Sequence, residues 1–256
     1  MKVEYYQEGT VVAYNANSPK GIGIDLDGFI ARAQRATRTI GYTGVKNLAE
    51  KLTTSYGDGK ICALLLVDHG AAGIQGVGSG TGHDLTEFKN FNAVHFGVSG
   101  KVEAALPVLA GEAAGRKPAP SDVMLALHAY GMSGVIDFQA PYLRAMARCI
   151  ARSGVLFLCG CSVAQEDGAK MIRDIALYFQ NCISVVASNN YVTWIDGPAK
   201  NTFKPAIWVS GKARPMRPYD LVGFMGGRVL LSEELQWIID NTVITESART
   251  PRRRGK

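Results

Sequence analysis

Two runs of uninterrupted apolar residues, Ile61–Val67 and Val155–Cys159, constrain the fold of this chain most strongly. Each run has the length of a β-strand, and neither alternates apolar with polar residues as a half-exposed strand does. Continuous apolarity is typical of strands whose two faces are both covered, as in a parallel or mixed sheet with helices on each side. We therefore expect both runs to be central strands.

Other apolar runs of strand length alternate with stretches of helical periodicity. The strand-like runs are Thr10–Tyr14, Val123–Leu127, Ile183–Ala187 and Ala206–Val209, and the helical stretches are Gly44–Ser55, Ala140–Arg152 and Asp167–Phe179. This alternation predicts an α/β fold, a three-layer α/β/α sandwich around a mostly parallel sheet. We expect one domain over residues 1–248. An insertion or loop is expected around residues 91–121, where the Gly-, Ala- and Pro-rich stretch Gly111–Ser121 lies.

The positive charge of the chain is concentrated at its end. The formal net charge is +6, and five cations without an acid fall in residues 249–256, so subtracting them leaves +1 for the rest. We interpret residues 249–256 as a disordered basic tail and expect no nucleic-acid partner. The sequence shows no export signal and no apolar stretch long enough to cross a membrane. A soluble cytoplasmic protein without a membrane partner is predicted, and its oligomeric state is left open.

The five cysteines do not form the pattern of a disulfide scaffold. They are odd in number and lie mostly inside apolar runs, which is typical of buried thiols in a reducing compartment: Cys62, Cys149, Cys159, Cys161 and Cys182. Cys159 and Cys161 have C-x-C spacing, but no second pair of metal-binding residues follows nearby. We expect no metal and no cofactor, although a site formed by these two cysteines and a distant histidine stays open.

Reactive side chains follow both central runs. Asp68-His69-Gly70 comes directly after the first run, and Gly160-Cys161-Ser162 comes directly after the second. In an open α/β sheet, chemistry collects beyond the carboxyl ends of the strands. A thiol acts as a nucleophile in its thiolate form, which a neighbouring histidine and the N-terminus of a following helix would favour. The amides of Gly70 and Cys161 are candidates for an oxyanion hole.

Three motifs in order carry a resemblance to a known family. They are DHGAAGIQGVGSG (Asp68–Gly80), LFLCGCSVAQEDG (Leu156–Gly168) and SVVASNN (Ser184–Asn190). Together they resemble the caspase-like cysteine peptidases, the group of caspases, gingipains, clostripain and separase, and a bacterial branch in particular. The resemblance implies a caspase-like fold with Cys161 as nucleophile, His69 as acid/base, and the Gly70 and Cys161 amides as oxyanion hole. The implied activity is that of a cysteine endopeptidase, which cleaves protein or peptide substrates through a thioester.

The resemblance to caspase-like peptidases leaves alternatives open. The 92 positions from His69 to Cys161 are many for this branch, and we assign the excess to Phe91–Ser121. His128 is a rival acid/base, because it also ends an apolar run, although no glycine follows it directly. Metacaspases carry an aspartate two residues before the nucleophile, where this chain has a cysteine, so we name Asp196 as the candidate substrate-binding acid. The second hypothesis is a caspase-like domain without turnover that serves as a binding or assembly module.

Overall fold

The computed structural model describes residues 3–17, 26–78, 87–89, 135–166, 168–179 and 182–247. The expected insertion at 91–121, the strand Val123–Leu127, His128 and the tail at 249–256 lie outside these residues. The described helices are α1 (Val3–Glu8), α2 (Leu26–Ala33), α3 (Val45–Tyr56), α4 (Val135–Cys149), α5 (Gly168–Tyr178) and α6 (Ser232–Asn241). No helix within the described ranges is both long enough and apolar enough to cross a membrane.

The described strands fall into three sheets. In chain order they are β1 (Thr10–Asn15), β2 (Thr39–Tyr42), β3 (Ile61–Val67), β4 (Gly70–Ala71), β5 (Ile74–Gly76), β6 (Glu87–Lys89), β7 (Ile150–Leu158), β8 (Ser184–Ser188), β9 (Tyr191–Asp196), β10 (Thr202–Val209), β11 (Lys212–Pro215), β12 (Leu221–Met225), β13 (Arg228–Val229) and β14 (Ile244–Thr245). A short 3-10 helix, Pro218–Asp220, precedes β12.

The largest sheet has seven strands in the order β13-β12-β8-β7-β3-β1-β2. The five strands from β8 to β2 pair in parallel, and β12 and β13 extend the sheet in antiparallel fashion. Numbered by their order in the chain, the five parallel strands lie across the sheet in the order second, first, third, fourth, fifth. In such doubly wound sheets the strand order reverses between the first and third strands, and ligands bind beyond the carboxyl ends near that point. The prediction of an α/β fold with a mostly parallel sheet is confirmed.

Helices cover both faces of this sheet, as the continuous apolar runs indicate. All seven residues of β3 are buried, with Leu64 and Leu66 in one core cluster and Ala63 and Leu65 in the other. The first cluster includes the apolar faces of α3, α4 and α5. The second cluster includes residues of α1, α2 and α6 and of the sheet formed by β9 and β10. The described part thus has the layers of an α/β sandwich.

A separate antiparallel sheet forms part of the second layer. In it β10 pairs with β9 along one side and with β11 and β14 along the other. The indole of Trp194 stacks on Phe29 of α2 with ring centroids 4.6 Å apart and donates a hydrogen bond to the Phe29 carbonyl at 2.8 Å. The predicted strand Ala206–Val209 is the second half of β10 and belongs to this sheet.

Both boundaries of one predicted helix are wrong, and the helix begins at Val135 instead of Ala140. The helix expected over Ala140–Arg152 ends at Cys149, and β7 begins at the next residue, Ile150. Ile150 pairs in register with Ile61 of β3, so its apolar side chain is buried in a strand. An apolar residue at the end of a helical stripe also fits a buried strand, and periodicity alone does not separate the two.

Candidate active site

The carboxyl ends of β3 and β7 lie side by side. Leu66 is paired with Leu158, and the Cys159 amide donates a hydrogen bond to the Leu66 carbonyl at 2.8 Å. Beyond this pair the two backbones touch, since an ideal Cβ placed on Gly70 would lie 2.6 Å from the nitrogen of Cys161. Only a glycine permits this approach. The structure therefore brings the segment that carries His69 against the segment that carries Cys161.

The imidazole of His69 has one nitrogen without a hydrogen-bond partner among the described residues. His69 is half-buried, and its Nε2 is buried without a hydrogen-bond partner in the part of the chain that the structure describes. The Cys161 thiol is therefore not hydrogen-bonded to this atom. Buried polar atoms are nearly always paired in proteins, so an unpaired one at a strand end requires an explanation. A ligand that binds between the two strand ends is one such explanation.

A buried carboxylate precedes His69, and the sequence analysis gave it no role. Asp68 is 2% exposed and accepts hydrogen bonds from the amides of His69 and Gly78, both at 2.7 Å, and from Asn15 Nδ2 at 3.2 Å. Burial raises the pKa of the Asp68 carboxyl, and the hydrogen bonds from Gly78, His69 and Asn15 partly oppose that shift. Asp68 fixes the backbone on both sides of the loop that follows β3. The sequence feature that could have indicated this role is the position of Asp68, an acid directly after a fully apolar strand.

The turn at Cys161 contains backbone strain that its neighbours hold in place. Ser162 has a φ of 56°, in the left-handed region, which a residue with a Cβ adopts at a cost of about 1–2 kcal/mol. The Ser162 amide donates to the Asn190 carbonyl and the Ala164 amide to the Ser188 carbonyl, each at 3.0 Å. Both acceptors belong to the end of β8 and the residues after it. Such strain occurs often at functional sites, where the surrounding structure enforces it.

A hairpin made by β4 and β5 holds the turn from its other side. The Gly73 amide donates to the Val163 carbonyl at 3.1 Å. The side chain of Gln75 is wholly buried, and its Oε1 accepts the Gly160 amide at 2.8 Å while its Nε2 donates to the Gly76 carbonyl at 2.8 Å. Gln75 received no role from the sequence, because a single glutamine in a glycine-rich loop carries no recognisable motif.

The two cysteines near the turn have different surroundings. Cys159 is fully buried, and burial raises the pKa of its thiol far above the ordinary value. Cys161 is half-buried, and burial raises its thiol pKa as well, although the Val192 amide donates to the sulfur and lowers it in part. In this state the Cys161 thiol is therefore protonated near neutral pH. The helix that follows the turn, α5, begins at Gly168, close to the predicted start.

The two candidate oxyanion amides belong to the touching backbones. Gly70 lies opposite Gln75 in the hairpin, and the neighbouring bond runs from the Gly76 amide to the His69 carbonyl at 2.8 Å. In an antiparallel pair this places Gly70 at a position whose amide faces away from the partner strand. The Cys161 nitrogen lies against the Cα of Gly70. The Gly160 amide, in contrast, is taken by Gln75.

Asp196 lies at the far end of β9. Its exposed side chain forms an ion pair with Arg32 Nη2 at 2.6 Å, and Arg32 also contacts Glu246 at 3.3 Å. Val192, whose amide reaches the Cys161 thiol, lies four residues earlier, about 13 Å along an extended strand. The role of Asp196 in substrate binding stays a prediction.

A second buried carboxylate, also missed by the sequence analysis, holds the residues that contact the Cys161 turn. Asp220 accepts two hydrogen bonds from Arg214, at 2.8 and 2.9 Å, and one from the Arg217 amide at 2.8 Å. Its Oδ1 also accepts Asn190 Nδ2 at 3.3 Å, and its carbonyl accepts the Asn189 amide at 2.8 Å.

Two further points bear on the chemistry of the site. Among the described residues, no three His, Cys, Asp or Glu side chains cluster in a way that would hold a metal ion. All five cysteines are free thiols.

The rival acid/base, His128, is not among the described residues and is not placed. No protein-family model, curated protein or solved structure matches this chain, so the interpretation of the site depends on the geometry of its own residues.

Proposed function

We propose that this chain is a caspase-like cysteine peptidase in which Cys161 is the nucleophile and His69 the acid/base. The observation that carries the proposal is the contact of Gly70 with the Gly160–Cys161 backbone, which brings a histidine and a cysteine to one edge of the sheet. The order of the parallel strands supports it, because ligands bind at that edge in doubly wound sheets. Five free thiols favour a reducing, cytoplasmic location.

The proposed reaction follows from the groups at the two strand ends. The Cys161 sulfur attacks the carbonyl carbon of a peptide, and its proton passes to the His69 imidazole. The amides of Gly70 and Cys161 face the developing oxyanion. The imidazole then gives the proton to the leaving amine as the C–N bond breaks, which leaves a thioester. Water hydrolyses the thioester, so that one peptide and one water yield an acid, an amine and the free thiol.

The resting geometry bears on when the thiol loses its proton. The Cys161 thiol has a raised pKa, and His69 Nε2 makes no hydrogen bond to any described group. Catalytic hydrogen bonds are often absent from ligand-free structures and form only in the complex with substrate. We therefore propose that substrate binding, and not the resting dyad, brings the imidazole and the thiol into contact.

A cleavage assay on matched variants tests this proposal. The parent protein, Cys161→Ala, His69→Ala and Cys182→Ala are each incubated with a mixture of peptides of diverse sequence, and products are followed by mass spectrometry. Cys182 is the matched control, because it is also a half-buried free thiol. We expect the parent and Cys182→Ala to cleave the same bonds. Loss of Cys161 or His69 should reduce the rate at least about a thousandfold, as for other nucleophile and base pairs.

The second candidate, a binding module without turnover, is favoured by the raised pKa of the Cys161 thiol and by the lack of a hydrogen-bond partner for His69 Nε2 among the described residues. Under this alternative no bond is cleaved by the parent, while a peptide binds with equal affinity to the parent and to Cys161→Ala. Cleavage that persists in Cys161→Ala would contradict both candidates. Retained cleavage in His69→Ala would move the acid/base role to another histidine, and His128→Ala would be the next variant.

A further inference from the structure

Gln75 joins the segment of His69 to the segment of Cys161. Its Oε1 accepts the Gly160 amide, and its Nε2 donates to the Gly76 carbonyl, both at 2.8 Å. The Gly76 amide in turn donates to the His69 carbonyl at 2.8 Å. One buried side chain therefore lies between the backbone that carries the proposed acid/base and the backbone that carries the proposed nucleophile.

The same side chain determines which backbone amide remains available beside the thiol. Because the Gly160 amide donates to Gln75, that bond orients the peptide plane between Cys159 and Gly160, which is the plane before the one that carries the Cys161 amide. Gly160 leaves no room for a side chain, since an ideal Cβ on it would lie 2.7 Å from Gln75 Oε1 and 2.8 Å from the Cα of Gly70. With the Gly160 amide bonded to Gln75, the next amide along the chain is that of Cys161.

Position 75 requires a side-chain amide, because the side chain there both accepts and donates a hydrogen bond. Gln75 is 0% exposed and uses its acceptor and its donor at once. An ionised carboxylate still accepts the Gly160 amide, but it has no proton for the Gly76 carbonyl and places a buried charge beside the thiol. A protonated carboxyl regains the donor. A glutamate at position 75 can therefore make both of the glutamine's hydrogen bonds only when its carboxyl is protonated.

We propose that Gln75 is a positioning residue that fixes the Cys161 amide and the separation between His69 and Cys161. The inference depends on the proposed function, because it assigns Cys161 as the reacting group. Gln75 acts through Gly160 and Gly76 and does not itself touch the reacting atoms.

The test uses 2,2′-dipyridyl disulfide, a probe that reacts with thiols at both acid and neutral pH. The Cys161 sulfur attacks the disulfide, a mixed disulfide forms, and one thiopyridone leaves, so no other reactant is needed. Rates at Cys161 and at Cys182 of the same molecule are measured from pH 4.5 to 8 by peptide mass mapping. The variants are Gln75→Glu and the matched Gln165→Glu. Gln165 is exposed, and its side chain donates to the Asn189 carbonyl at 2.7 Å, beside the same turn.

We expect Gln75→Glu to slow Cys161 at least about fivefold at pH 8, relative to Cys182, because the ionised form lacks the donor and repels the thiolate. The deficit should shrink to less than about twofold at the acid end, where the carboxyl is protonated. Gln165→Glu should follow the parent at every pH. Equal slowing of Gln75→Glu across the pH range, or a rate equal to that of the parent, would overturn the inference.

A second variant covers the case in which Gln75→Glu does not fold. Gln75→Asn keeps the amide but shortens it by one methylene, so it cannot reach Gly160 and Gly76 together. We expect it to slow Cys161 about threefold or more without a pH dependence of its own, and a folded variant with the parent rate would overturn the proposal. The probe requires no peptide cleavage. Cleavage without a Gln75 effect would refute this inference alone, whereas a Gln75 effect without cleavage would refute the peptidase proposal alone.

Discussion

Two buried carboxylates, Asp68 and Asp220, lie near the Cys161 turn on its two sides, and each is held in a different way. Both are 2% exposed. Asp68 accepts hydrogen bonds from two backbone amides and one side-chain amide, and the Tyr42 hydroxyl also bonds to it. Asp220 receives a backbone amide and also the two-pronged guanidinium of Arg214. One charge is stabilised by dipoles, and the other is stabilised mainly by an opposite charge.

The two carboxylates therefore differ in the kind of group that compensates for their burial. Dipoles do not fully replace the water lost on burial, so the pKa of the Asp68 carboxyl is raised. A guanidinium stays charged at any pH that the protein meets, so Arg214 supplies a permanent positive charge beside Asp220. The strand end that carries His69 is therefore held by a group sensitive to pH. The turn that carries Cys161 is held through Asn189 and Asn190 by an ion pair.

The largest effect is expected from removing the charge of Asp220. Asp220→Asn removes the negative charge that pairs with Arg214 and replaces one of the two carboxylate oxygens with an N–H donor. Because Arg214 is partly exposed and can turn to water, we expect a loss of about 2–3 kcal/mol in the free energy of unfolding, less than for a wholly buried pair. Urea unfolding followed by circular dichroism measures it.

Glu234→Gln is the matched control for that variant. Glu234 binds Arg228 with the same two-pronged geometry at 2.8 Å, but on an exposed surface. An exposed pair contributes about 1 kcal/mol or less, so this variant should lose little. If Asp220→Asn lost no more than Glu234→Gln, the ion pair of Asp220 would not be the main support of its region.

An intermediate effect on stability is expected at Gly70, where the loop that follows Asp68 contacts the Cys161 turn. Gly70→Ala places a methyl group 2.6 Å from the Cys161 nitrogen and from the Gly160 Cα, and both are backbone atoms that cannot move alone. We expect a loss of about 1–3 kcal/mol in the free energy of unfolding. Gly227→Ala, with nothing within 4 Å, is the control and should change the same quantity by about 0.5 kcal/mol or less. Equal losses in the two variants would mean that the two strand ends do not touch in solution.

The part of the fold built from continuous apolar runs could be predicted, and the part built from mixed strands could not. Ile61–Val67 forms a strand with the predicted bounds, because burial on both faces leaves only apolar residues. The strand at Tyr191–Asp196 was missed, because it has no continuous apolar run: the buried Val192 and Trp194 alternate with more exposed residues. It pairs with β10 in the smaller antiparallel sheet. Sequence patterns report local burial, whereas pairing between distant strands is a tertiary property.

The candidate site divides in the same way. Cys161, His69 and Gly70 belong to short motifs at predicted strand ends. Their residue types and positions therefore predicted them as site residues. Gln75 bonds to Gly160, 85 residues away, and Asp220 bonds to Arg214, 6 residues away. No local sequence pattern predicts either bond. Asp68 stood within a quoted motif, yet its role follows only from the amides that converge on it.

The smallest expected effect is the pH dependence that Asp68 gives to stability. Its pKa in the folded protein is raised above the ordinary value of 3.8, so the folded state holds the proton more tightly than the unfolded state. The stability that Asp68 contributes is therefore greatest below pH 3.8, falls as the pH rises, and reaches its lower limit above the folded-state pKa. Asp68→Asn does not titrate. We expect the difference in unfolding free energy, parent minus Asp68→Asn, to decrease as pH rises from 3 and then become constant.

Urea midpoints of both proteins from pH 3 to 7 give this difference directly, and a third variant sharpens the assignment. Asn15→Ala removes one of the three N–H donors that favour the ionised Asp68 carboxylate, so its folded-state pKa should rise further. The falling part of the difference curve, measured against the double variant with Asp68→Asn, should then extend to higher pH. A difference that increases with pH would mean that the hydrogen bonds outweigh the burial. The carboxylate beside His69 would then be held as firmly as Asp220, and the contrast between the two sides of the turn would disappear.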